Sequence, residues 1–180
     1  MNKISAFFEK EEKEILCQLE HFSEVLLHLR YEGKVQRGRN VKAANKAIAK
    51  LIKILRKHRS FQEEVIFSYL LVHIPKHESI IQFLCSDHEI IQKNKKKLYC
   101  LLKKLSEKES YTLDDKIQEL GVSLIYLVRH HIELERNSIH KTLKNELNED
   151  EKKDVAKMTR NWFVTINDTS SCFGMQKAGR

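Results

Sequence analysis

Apolar residues recur at helical spacing along most of this chain, and a single proline, Pro75, interrupts them. This pattern constrains the fold most, because residues three and four apart share a helix face while strands need a period of two. Ile4, Phe8, Ile15, Leu19, Phe22, Leu26 and Leu29 form one stripe, which predicts a helix from about Ile4 to Arg30. A polar, basic turn is expected over Gly33 to Asn40. Ala44, Ile48, Leu51, Leu55, His58, Gln62, Val65 and Tyr69 then predict a second helix from Val41 to Val72. Pro75 ends it, since proline cannot continue a helix interior. Ile81, Leu84, His88, Ile91, Leu98 and Leu102 predict a third helix from Ser79 to Leu105.

After a charged turn over Ser106 to Tyr111, Thr112 and Asp115 resemble a capping box opening a fourth helix to Leu147. Asn148 followed by Glu151 opens a short helix through Phe163. Residues 165–180 lack periodicity and are expected to be a flexible tail beyond a domain of residues 1–164. Five Gly and one Pro in 180 residues leave few breaks. The expected fold is therefore all-α: an antiparallel up-down-up-down four-helix bundle with a short C-terminal helix and a tail.

No apolar run reaches the roughly 18 residues of a membrane span. Glu9, Glu11 and Glu12 interrupt the N-terminal segment, which does not read as a signal peptide, so a cytoplasmic location is expected. Cys17, Cys85, Cys100 and Cys172 have no CxxC spacing and are expected to be buried free thiols. The net charge of +8 raises the question of nucleic acid. Lys42, Lys46, Lys50, Lys53 and Lys57, however, fall three or four apart, as on a solvated helix face, and no DNA-reading module accompanies the Lys93 to Lys97 cluster. Neither a specific nucleic-acid partner nor a membrane is expected.

His131 and Glu135 stand four apart inside an apolar helical stretch, so they share one face. A buried carboxylate beside a buried imidazole is costly unless something positive lies between them. His88 precedes the Ser106 turn by about as much helix as separates Thr112 from His131, roughly 26 and 28 Å, so the two land at similar heights. The first hairpin repeats the arrangement with His21, then His58 and Gln62, though His21 and His58 match less evenly. Such a two-fold repeat on facing helices suits a dinuclear metal site. His28, His73, His77, His130 and His140 read instead as ordinary hydrogen-bonded histidines.

The order His21, His58, His88, then His131-x-x-x-Glu135 resembles the hemerythrin-like (HHE cation-binding) family over about residues 12 to 145. The flanks Leu19-Glu20-His21, Glu63-Glu64-Val65-Ile66-Phe67 and Asp87-His88-Glu89-Ile90-Ile91 carry the same resemblance. It implies a non-haem di-iron centre with carboxylate bridges, held by His21, His58, Glu63, His88, His131 and Glu135. Gln62 departs from the pattern: it stands where the family usually has Glu, and a neutral amide cannot supply an anionic bridge. Glu63 is the adjacent carboxylate, rotated about 100° around the helix, and reaches inward only through a distortion such as a π-bulge. Gln62 and Glu63 therefore compete for the position.

The implied function is binding of a diatomic ligand, O₂ or NO, for sensing, storage or stress response. One alternative is an enzyme of iron–sulfur cluster repair under nitrosative or oxidative stress, less expected without a cysteine-bearing N-terminal domain. Another is a metal-free helical interaction module.

Overall fold

A computed structural model describes residues 3–107 and 111–172, and no strand occurs among them. Helix α1 (Lys3–Tyr31) reverses at Glu32 into α2 (Gly33–Phe61). The expected turn over residues 33–40 is helical, because its polar residues fasten the reversal from within a helix. Asn40 is buried and donates from Nδ2 to the His28 carbonyl (3.1 Å) and to Glu32 Oε2 (3.0 Å). Helix α2 thus starts eight residues before Val41, about 12 Å of helix.

A π-helical segment (Gln62–Phe67) follows, then α3 (Ser68–His73). Ile74 leaves helical geometry and Pro75–His77 form one 3₁₀ turn, the break that proline dictates. Helix α4 spans Glu78–Glu107. Helix α5 (Tyr111–Glu135) runs into a second π-helical segment (Arg136–His140) and α6 (Lys141–Asn145). Thr112 lies inside α5 rather than before it, and residues 108–110 of the expected turn lie outside the described residues.

Helix α7 (Glu149–Cys172) opens on the expected cap. Asn148 Oδ1 accepts from the amides of Asp150 (3.0 Å) and Glu151 (2.9 Å), while Glu151 Oε2 accepts from the Asn148 amide (2.7 Å). It continues past Thr165, where the tail was expected to begin. Residues 173–180 lie outside the described residues.

The long helices form a bundle: α1 packs on α2, α2 on α4, α4 on α5, and α5 back on α1. Gly121 permits the last contact, since a Cβ there would meet Leu26 Cδ1 at 2.5 Å. Beside it Gln118 Nε2 donates to the Leu26 carbonyl (2.6 Å).

Two apolar clusters fill the interior. One takes Ile15, Leu19, Phe22, Leu51, Leu55, Ile91, Leu98, Val128 and Ile132. The other takes Phe8, Phe61, Ile66, Phe67, Leu84, Ile139 and Trp162, and α7 closes over it. Trp162 packs its ring 5.1 Å from Phe61 and donates Nε1–H to Glu64 (3.0 Å). Each of these large side chains contributes about 1.5–3 kcal/mol by leaving water.

Along α1, α2 with its π-helical continuation, α4 and α5, the apolar stripe is interrupted at the boundary between the clusters. The interruptions are Glu11 and Glu12, then His58 and Gln62, then Asp87 and His88, then His131 and Glu135, all buried. A polar layer therefore crosses the bundle.

One further expectation changes. Cys17 and Cys100 are exposed because they lie off the apolar stripes of their helices, and Cys85 is half-buried at the edge of the second cluster; the Cys172 side chain is outside the described residues. No described helix is long and apolar enough to cross a membrane.

Candidate metal centre

Three imidazoles and one carboxylate meet in the polar layer. One ligand atom from each of His58, His88, His131 and Glu135 lies within 4.8 Å of all the others, and all four side chains are buried. Glu135 is fully buried; Nε2 of His131 lies 2.9 Å and Nε2 of His58 3.3 Å from its oxygens. The ring centres of His88 and His131 are 4.7 Å apart.

Each imidazole turns its other nitrogen to a carboxylate of its own. Nδ1 of His58 faces Glu11 (3.1 Å), Nδ1 of His88 faces Glu63 (2.8 Å), and Nδ1 of His131 faces Asp87 (3.3 Å). A neutral imidazole has one N–H. Donated to these carboxylates, it leaves three Nε2 lone pairs converging on Glu135 and Gln62. Lone pairs and carboxylate oxygens at 2.9–3.3 Å repel unless a cation joins them.

The hydrogen-bond pattern shows the same need. Nε2 of His58, Nε2 of His131, both Glu135 oxygens and Nε2 of Gln62 are buried with no hydrogen-bond partner. The close His–Glu135 approaches lack the alignment of a hydrogen bond, so charge rather than directed bonding acts there. Orphaned polar groups of this kind are rare in interiors and cost about 1–3 kcal/mol each. A metal ion coordinated by three Nε2 atoms and one carboxylate oxygen satisfies most of them at once. The four ligand atoms, each within 4.8 Å of the others, are close enough that one divalent ion could be held by all of them.

In the metal-free chain, protons must take that role. Burial opposes a charge on His58, but Glu135 and Glu11 outweigh it and raise its pKa to about 10. Burial likewise pushes Glu135 upward, and the charges of His58 and His131 hold it well below the usual carboxylate range. His88 goes the other way: burial, then the charge of His131, lowers it to about 3. Neutral His88 cannot donate to both Glu63 and Gln62. Its Nδ1–H serves Glu63, which leaves its Nε2 lone pair against the Gln62 Oε1 acceptor at 3.0 Å, two acceptors with no proton between them.

Two expected ligands stand elsewhere. His21 is exposed and lies 3.9 Å from Glu24, outside the cluster. The early start of α2 explains this: the α1 residue that meets His58 is Glu11, ten residues before His21, or about 15 Å of helix. Glu63 sits behind His88, on the nitrogen that faces away from the cluster, and is also bound by Arg59 Nε (3.0 Å). The π segment that would have turned Glu63 inward is present, but it buries Gln62 and leaves Glu63 half-exposed.

Sequence reasoning missed Glu11, Glu12 and His140. Glu12 is buried, with Oε2 on Arg136 Nε (2.5 Å) and Oε1 on His140 Nδ1 (3.3 Å). Burial raises the Glu12 carboxyl and lowers His140 to about 4. The available signal was the pair Glu11-Glu12 between Phe8 and Ile15, two acids on an otherwise apolar stripe. No protein-family model matches this chain, and no curated protein matches it.

Proposed function

We propose that His58, His88, His131 and Glu135 hold one divalent first-row metal ion, iron in our reading, in an antiparallel up-down-up-down four-helix bundle like that of the hemerythrin-like proteins. The observation that carries this is the bracing of all three imidazoles by a carboxylate at Nδ1, with every Nε2 aimed inward. Metal-binding histidines are held in this way, which fixes the tautomer and strengthens the donor. A run of contacts between neighbouring helices supports the topology: Glu11 with His58, Arg59 with Glu89, Asp87 with His131, and Arg136 with Glu12.

Three neutral imidazoles and one carboxylate favour a divalent ion over a higher charge. Bound iron would supply reversible binding of O₂ or NO, our reading of the activity, for sensing, storage or stress response. The chain's own residues fix the remaining conditions. Phe67 stacks on His88, ring centres 6.0 Å apart, and walls one side against water. Gln62 places a neutral amide beside the centre, able to donate to a ligand held there.

A second reading keeps two irons. Glu12 Oε1 and His140 Nε2 are buried without hydrogen-bond partners beyond Glu135. We favour one ion, because the Arg136 guanidinium already neutralises Glu12 and Gln62 brings no charge. Anaerobic iron reconstitution followed by metal analysis tests both. One iron per chain, lost in His131→Ala, is the expected result. Two irons, reduced to one by Glu12→Ala, would establish the second reading. No iron bound by the folded protein would remove both.

A further inference from the structure

The chain's charge is distributed very unevenly. Residues 33–62 and 90–106 contain sixteen of the 33 Lys and Arg and none of the 25 Asp and Glu. The rest of the chain is therefore net acidic, with 17 basic residues against 25 acidic ones. The two basic stretches lie on α2 and α4, which pack side by side.

Their register is set at both ends. Asn45 bonds to Ser106 (3.0 Å) and Arg59 to Glu89 (2.6 Å), a register that puts Lys46 at the height of Lys103 and Lys53 at the height of Lys96. Lys42, Lys46, Lys53, Arg56, Lys93, Lys96, Lys97 and Lys103 are exposed, and none forms an ion pair among the described residues. The carboxylates paired with α2 arginines, Asp114 on Arg37 and Glu63 and Glu89 on Arg59, sit at the ends of the strip. Like charges on adjacent helices repel, and a surface serving only solubility intersperses both signs. The crowding reaches inward: buried Lys95 is lowered to about 8, by burial and then by Arg56, Arg59 and Lys96.

We propose that the α2–α4 seam is a docking surface for the sugar–phosphate backbone of a single-stranded nucleic acid. The strip from Lys42 to Lys57 is about 22 Å long. The cations of the two helices together form a positive track of the kind that follows a strand without reading its sequence. Among residues 41–57 and 93–104 the exposed large hydrophobic is Tyr99, 45 % accessible and central on the α4 side. A single aromatic amid cations suits stacking on an unpaired base. A lipid-docking helix presents several Leu, Phe or Trp side chains instead. This surface is distinct from the polar layer, so binding does not depend on metal.

The test is fluorescence anisotropy of labelled dT20 with the full chain, with and without chelator, over a salt series. Contact with about five phosphates predicts a slope of log K against log salt of about −3.5. The triple variant Lys53→Glu, Lys96→Glu, Lys103→Glu should weaken binding at least about 30-fold. Lys116→Glu, Lys144→Glu, Lys157→Glu changes net charge equally away from the seam and should cost less than about 3-fold. Tyr99→Ala should weaken binding about 5- to 30-fold. Equal losses in the two triple variants would overturn the proposal, as would tighter binding to phosphatidylserine vesicles than to dT20. Circular dichroism of each variant shows that it is folded.

Discussion

The two π-helical segments occupy equivalent places in the molecule. One begins at Gln62, four residues after His58; the other begins directly after Glu135, four residues after His131. Each lies next to a histidine and a fully buried polar residue that share one face, Gln62 opening the first segment and Glu135 preceding the second. They differ in one atom of chemistry. Glu135 brings a charge, and both imidazoles beside it are drawn to it. Gln62 brings an amide whose nitrogen is left without a partner. The backbone distortion is common to both sides, so it is the side chain at the fourth position that sets how much cation the layer needs.

Removing the charge from the Glu135 side should have the largest effect. Glu135→Gln leaves the buried His58 cation without its main partner, and the metal-free protein should lose about 3–5 kcal/mol in urea unfolding. The variant should also fail to retain iron. Making the sides alike is the complementary change. Gln62→Glu places a second buried carboxylate in the layer and should destabilise the metal-free chain by about 1–3 kcal/mol. Added iron should recover that loss, read as a metal-dependent rise in Tm larger than in the unaltered protein.

Glu63→Gln leaves the inner atoms in place and weakens only the brace on His88. Iron affinity should fall about 10- to 100-fold by competition with a chelator, with little change in helicity.

Lys95 provides the smallest effect and a contrast to the layer. It is buried in the apolar half of the bundle, and no carboxylate among the described residues pairs with it. Its folded pKa of about 8 lies below the ordinary 10.5, so the unfolded chain binds more protons between those values. Stability should therefore rise with pH from about 8 to 10.5. Lys95→Met should stabilise the protein by about 1–2 kcal/mol at pH 7, after discounting for solvent at the end of the stem, and by much less at pH 10.5. Urea melts at the two pH values measure the difference.

Helix identity and the second hairpin's geometry were legible in the residues. The stripe Ile81, Leu84, His88, Ile91 faces inward as its period requires, and His88 reaches the level of His131 because both helices run uninterrupted toward residues 107–111. His21 was not placed correctly because the reversal at Glu32 depends on Asn40 bonding across it, a tertiary contact that polarity alone presents as a loop. That shift of about 12 Å moved the α1 contribution from His21 to Glu11 and Glu12. Glu63 illustrates a different limit. Its charge suggested a ligand, whereas its angle on the helix puts it behind the imidazole.

The most direct test of the centre is iron K-edge X-ray absorption on the reconstituted ferrous protein. One ion held by three braced imidazoles and Glu135 predicts the scattering of about three histidine rings and no iron–iron distance near 3.5–4 Å. An iron–iron vector would contradict the single-ion account, and iron without imidazole scattering would contradict the site itself.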